Sequence, residues 1–242
     1  MATYKTQGIV LARHNLGEAD RIITFLTPDR GKVRAVARGV RKIKSRMAGH
    51  LELFSQTELM LAEGRNLDII TSARLMTHHE ALVTDYARLR AAYLRAEIID
   101  RLMSDDGEPH ADIFQLLADS LAQLATRGAT PLAELNYKLT LADRLGYRPE
   151  LGACVVCDEH SGDQEYYLSP ARGGIVNQTC ASPGDYRMSQ KQVKLWRVLL
   201  VSTPDRDIEA APALADEGLA LCNQFYDYVF GRTFRSAQVL AI

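Results

Sequence analysis

The sequence predicts a multidomain α+β protein, and three observations carry that reading. Up to residue 80, short β-branched and apolar runs alternate with turn residues at roughly eight- to twelve-residue intervals, the pattern of a small barrel or sandwich. From Ala81 the apolar residues change to helical spacing. Inside the helical part stands Cys154-Val155-Val156-Cys157, answered by Cys180 across a turn-rich segment. The expected layout is a five-stranded OB-fold barrel over residues 1–80 and a helical domain over 81–147. A zinc-finger-like knuckle is inserted at 148–186, and C-terminal helices over 187–242 complete the helical bundle.

The strands follow from local composition. Gly8–Ala12 and Arg21–Thr27 are β-branched and apolar, and Pro28-Asp29-Arg30-Gly31 is a tight turn. The return through Lys32–Ala37 alternates charged and apolar residues, which puts Lys32 and Arg34 on one face and Val33 and Ala35 on the other. Ser55–Ala62 and Asn66–Leu75 are the remaining strands. Five strands in so short a span match an OB-fold, whose usual ligands are single strands and oligosaccharides. Phe25, Phe54 and Tyr4 are expected in the barrel core.

The helices follow from periodicity and caps. Leu82, Tyr86, Leu89 and Tyr93, continued by Ile98 and Leu102, form one apolar stripe; Ile113, Leu116, Leu117, Leu121 and Leu124 form a second. Thr130-Pro131 opens a third helix as N-cap and first helical residue, with Leu132, Leu135, Leu139 and Leu145 inward and Gly146 as its stop. Ser189 caps Gln190–Val201, which turns Leu195, Trp196, Val198 and Leu199 inward. Leu214–Phe230 is the last helix, Cys222 lies on its core stripe, and Arg232 and Arg235 add positive charge beyond it.

Net charge is close to zero, with 29 basic residues against 30 acidic, yet Arg30–Arg46 contains no acidic residue. Lys32, Arg34, Arg38, Arg41, Lys42, Lys44 and Arg46 stand there with Arg30, interleaved with Val33, Val36, Val40 and Ile43. A folded surface with a row of cations attracts phosphate backbones through counterion release, without reading sequence. A solvated charged face is the plain alternative.

Hydrophobic content of 47% and charged content of 24% are those of an ordinary globular protein. The N-terminal MATYKTQGIV lacks a signal-peptide pattern and no apolar run is long enough to span a bilayer, so a cytoplasmic protein is expected. Its cysteines should then be thiols or metal ligands rather than disulfides. Cys154 and Cys157 at CxxC spacing form a knuckle suited to tetrahedral zinc, with Cys180 as third ligand. A second CxxC is interrupted by Pro183, so the fourth ligand is assigned to His160, with Asp158, Glu159, Asp185 or water as alternatives. No P-loop, GxSxG, HExxH or GxGxxG is present, and the histidines are scattered, so a non-enzymatic binding module is expected.

The order of features resembles the bacterial DNA repair protein RecO family. The carrying residues are Gly17-Glu18-Ala19-Asp20-Arg21-Ile22-Ile23 leading to Phe25-Leu26-Thr27 and Gly31, then Ala37-Arg38-Gly39-Val40-Arg41-Lys42. Leu145-Gly146-Tyr147-Arg148-Pro149 precedes Cys154 and Cys157, and Ser169-Pro170 with Gly173-Gly174 precedes Cys180. The resemblance implies an OB-fold, a helical domain, a zinc knuckle and a recombination-mediator role. That role comprises binding single- and double-stranded DNA and annealing complementary strands. With RecR it extends to loading RecA onto strands coated by single-stranded-DNA-binding protein. Pro183 departs from the family pattern, where a fourth cysteine is common. The alternative from another class is an adaptor whose basic face meets an acidic partner peptide, with no direct DNA role.

Overall fold

The structure is a computed structural model, which describes residues 2–104, 107–160, 165–201 and 208–231. The chain forms two compact units, one running to Gly128 and the other beginning at Ala129. This division falls inside the segment that the sequence reading treats as one helical domain.

In the first unit, β1 (Thr3–Leu16), β2 (Asp20–Thr27), β3 (Gly31–Ala37), β4 (Gln56–Ala62) and β5 (Asp68–Thr77) close into a barrel in the order β1-β2-β3-β5-β4. β1 extends well past the predicted Gly8–Ala12. Its first half pairs with β4 and its second half with β2, and a register shift between Val10 and Ala12 bends it from one neighbour to the other. Only its middle is apolar, so the ends carry no strand signal in composition. The parallel β3–β5 seam pairs Ala35 with Asp68 and Val36 with Ile69. Val10, Ile23, Phe25, Ala35, Leu59, Leu61 and Ile70 fill the barrel. Gly31 turns the β2–β3 hairpin at φ 56°, where a side chain would also strike the Glu108 carbonyl oxygen at 2.4 Å.

Phe25 and Phe54 are buried as expected, whereas Tyr4 is only partly so: its hydroxyl donates to Asp68 and the Arg30 guanidinium lies 3.8 Å above its ring. The first predicted stripe divides. A short helix α1 (Ala81–Thr84) ends at Asp85, whose carboxylate accepts from the Arg88 amide at 2.9 Å and starts α2 (Tyr86–Leu102). Leu82 and Ile98 are buried as expected, whereas Tyr86 and Tyr93 are exposed; α2 also buries Ala92, Arg95, Ala96 and Ile99. In α3 (Ala111–Arg127) the predicted leucines are all buried.

The second unit contains α4 (Pro131–Arg144), α5 (Gln190–Val201) and α6 (Pro212–Phe230). Thr130 caps α4 by accepting from the Ala133 amide, and Ser189 caps α5 by accepting from that of Gln192. α6 packs closely because position 218 is glycine; a Cβ there would lie 2.8 Å from Gln192 Oε1 and 2.9 Å from Leu135 Cδ2. Val198, expected inward, is exposed on α5. Lys138 is buried, donating to Asn223 Oδ1 at 2.6 Å. Between α4 and α5 lies a small antiparallel sheet of β6 (Tyr166–Ser169), β7 (Gly174–Asn177) and β8 (Tyr186–Met188), in the order β7-β6-β8. Its strands bury Tyr166, Leu168, Ile175 and Val176, so the knuckle region has more core than its turn-rich sequence suggests. Arg232 and Arg235 lie outside the described residues.

Candidate nucleic-acid interface and cysteine centre

The basic stretch divides between β3 and the long loop that follows it. Arg34 is exposed on β3, and Arg38, Arg41, Lys42, Lys44 and Arg46 are exposed along the loop. The loop is fixed by its backbone. Gly39, at φ 64°, donates to Asp20 Oδ1 at 2.7 Å, the Arg41 amide to the Ala19 carbonyl at 2.9 Å, and the Ser45 amide to that of Lys42 at 2.9 Å. Val40 is buried in the barrel core and Met47 packs against it, so the loop is tethered at both ends. Arg41 Nη1 also donates to the Gly17 carbonyl at 2.9 Å. The result is an ordered turn with five cations outward.

Lys32 differs from its neighbours. Its ammonium donates to the Asp100 carbonyl oxygen at 2.6 Å and lies 3.7 Å from that residue's carboxylate, on α2. It acts as a strut between barrel and helix. Beside it, Tyr4, Arg30, Arg34, Asn66 and Asp68 border a cleft of about 310 Å³.

The cysteine centre lies wholly in the second unit. The sulfurs of Cys154, Cys157 and Cys180 are within 4.8 Å of one another, close enough to hold a metal ion. The knuckle turns on Asp158, which adopts φ 59° and returns its amide to the Cys154 carbonyl at 2.9 Å. Asn177 organises the centre: its amide N–H points at Cys154 Sγ at 3.5 Å, and its side-chain Nδ2 at Cys157 Sγ at 3.4 Å and Glu159 Oε2 at 2.8 Å. Its Oδ1 accepts from the Cys180 amide at 3.0 Å. Arg172 braces the turn after Cys180, donating to the Cys180 carbonyl and to Ser182 Oγ.

Burial raises the Cys154 thiol, but N–H donors from Asn177, Val156 and Cys157 outweigh it and bring its pKa down to about 7. Cys180 is pushed up, first by burial and then by the neighbouring thiols. Three sulfurs with N–H donors aimed at two of them could serve as ligands of a metal ion. His160 stands outside this group, exposed, with its backbone bridged to Ala153. Asn177 and Arg172 were not singled out from sequence; an asparagine shortly before the third cysteine was the available signal. Cys222 is buried on α6, as expected, and its thiol is pushed up to about 12 by burial.

A closed OB-type barrel bearing a basic loop, followed in the chain by helices with a cysteine knuckle, defines a class of multidomain barrel proteins. Comparison with known proteins narrows the class. Residues 1–79 match the model of the recombination protein O N-terminal domain, and residues 83–238 that of its C-terminal domain. The chain is 39% identical over 242 residues to the DNA repair protein RecO of Roseiflexus sp., covering 98% of this chain and 84% of that protein. It is 36% identical over 248 residues to the RecO of Cutibacterium acnes, covering 99% of each. The chain belongs to the RecO family of DNA repair proteins. Among the described residues no helix is long and apolar enough to cross a membrane.

Proposed function

We propose that the chain is a non-enzymatic recombination mediator that holds DNA on the basic face of its barrel. The observation that carries this reading is the ordered loop after β3, with Arg38, Arg41, Lys42, Lys44 and Arg46 outward and Arg34 beside it. The contacts are to phosphate, so binding is indifferent to sequence and extends to single and double strands. Lys32, engaged with Asp100, supports this face rather than contacting DNA. Charge of this kind screens repulsion between two strands and leaves their bases free to pair, as annealing requires. RecR, RecA and single-stranded-DNA-binding protein are the expected partners on the family's pattern, in the cytoplasm at the nucleoid.

The cysteine centre would hold zinc through Cys154, Cys157 and Cys180, with the remaining position open to a residue outside the group or to water. Zinc there would cross-link the knuckle to the segment after β7, a structural role. Anisotropy of labelled single and double strands across a salt series tests the DNA reading. Six phosphate contacts give a log–log slope of roughly −4 on single strands, at about 0.7 per contact. Reversal of Arg34, Arg38, Arg41 and Lys42 to glutamate should abolish binding, and retained binding would refute this face as the DNA site.

A further inference from the structure

The basic loop carries a residue that charge does not explain. Ile43 is wholly exposed, the most exposed of the large apolar side chains described. The Ser45 amide closes a turn onto the Lys42 carbonyl, which leaves Ile43 and Lys44 at the apex. Turn apices ordinarily take polar residues or glycine, because an apolar side chain there gains nothing from folding. Here the turn is held before its apex by the Arg41 amide on Ala19 and by Val40 in the barrel core, and after it by Met47 against that core, so the apex presents Ile43 outward in a fixed place. Arg41, Lys42, Lys44 and Arg46 surround it, all exposed. An apolar tip ringed by cations suits a ligand whose charged backbone flanks apolar faces, as a nucleic acid strand does.

Resting on the DNA reading above, we propose that Ile43 is a base-contacting residue that packs against unstacked bases of a single strand while its neighbours hold the phosphates. The choice of single strand over duplex follows from magnitudes. Prising open a duplex step costs at least as much as burying one isoleucine returns. Bases of a single strand are already accessible, so the same contact adds affinity at no such cost. Ile43 therefore sets the preference of the loop for single strands.

The test uses the full chain with fluorescein-labelled oligothymidylate and a labelled hairpin duplex, titrated across a salt series. The variants are Ile43→Ser, Ile43→Met and the Arg41→Glu/Lys42→Glu pair, each checked by its melting curve. Ile43→Ser should lower single-strand affinity about tenfold and duplex affinity less than twofold. Its salt slope should stay unchanged, because no charge is lost. Ile43→Met should restore single-strand binding. If Ile43→Ser binds single strands as the natural chain does while the charge-reversed pair loses binding, the base contact falls and the DNA face stands. Equal losses on single strand and duplex would overturn the single-strand role. If the charge-reversed pair binds normally, the DNA face falls, and Ile43 as a base-contacting residue falls with it.

Discussion

The basic loop of the barrel and the cysteine knuckle of the second unit are both irregular segments, yet they are built in opposite ways. The loop is held by backbone amides and by apolar anchors, Val40 and Met47, and its charged side chains are exposed, although Arg41 also reaches back to the Gly17 carbonyl. The knuckle leans on side chains turned inward: that of Asn177 onto Cys157 and the Cys180 amide, beside its backbone N–H on Cys154, and that of Arg172 onto the turn beyond. The first can change its surface chemistry without touching its support. The second has no such separation, because the groups that give it chemistry also give it shape. Binding and stability should therefore come apart in the loop and move together in the knuckle.

The sharpest way to break this contrast is charge reversal at Arg38, Arg41 and Lys42. Single-strand affinity should fall a hundredfold or more at low salt, while the melting temperature moves by no more than a surface substitution would. A matching fall in stability would show that the loop supports the barrel after all. In the knuckle, Asn177→Ala should weaken metal affinity about 10- to 100-fold and lower the melting temperature of the metal-loaded chain. A competition titration against a chromogenic chelator, followed by melting, reads both; unchanged affinity would remove Asn177 from the centre.

Lys32 sharpens the comparison within the basic stretch itself. Lys32→Gln should cost about 1.5 kcal/mol of stability in a denaturant titration, through loss of a charged hydrogen bond to the Asp100 carbonyl. It should leave DNA affinity within about twofold, the reverse of the pattern at Arg38 or Arg41.

The smallest effect contrasts Cys222 with the knuckle thiols. Burial holds the Cys222 thiol protonated up to about 12, against an ordinary value of 9.0, so between these values the unfolded chain has lost a proton that the folded chain keeps. Its stabilising contribution is fully present below pH 9 and is lost as pH rises toward 12, by about 1 kcal/mol over the first unit above 9. Cys222→Ala should flatten that slope in alkaline unfolding curves; an identical slope would assign the loss to another group.

Much of this was legible because the relevant signals are local. Thr130-Pro131, Ser189, the β2–β3 turn and the leucines of α3 act within a few residues, and the structure has them as the sequence predicts. The cysteines were legible for the same reason, since CxxC spacing is itself the geometry. What escaped was decided by distant partners. Tyr86 and Tyr93 were assigned to an apolar stripe continuous from Leu82, but the chain restarts its helix at Asp85 and both rings are exposed. Lys32 has the same side chain as Lys42, and only the arrival of Asp100 separates their fates. Lys138 is buried because Asn223, far along the chain, meets it. His160 has ligand-like spacing, yet it is exposed and lies outside the cluster of three sulfurs.

The split pairing of β1 has a consequence for how the chain is made. At about 5–20 residues per second of synthesis, the β1–β2–β3 meander emerges about one to five seconds before β4, the partner of residues Thr3–Ile9, is complete. During that interval the first half of β1 is an open edge, with its backbone groups unpaired and able to recruit another nascent chain. Lys5 lies in the middle of this edge, among Thr3, Tyr4, Thr6 and Gln7, and charge and polarity there discourage such pairing. Once β4 arrives, Glu58 receives the same lysine at 2.7 Å. A residue that guards an unfinished strand thus becomes a clasp across the finished one.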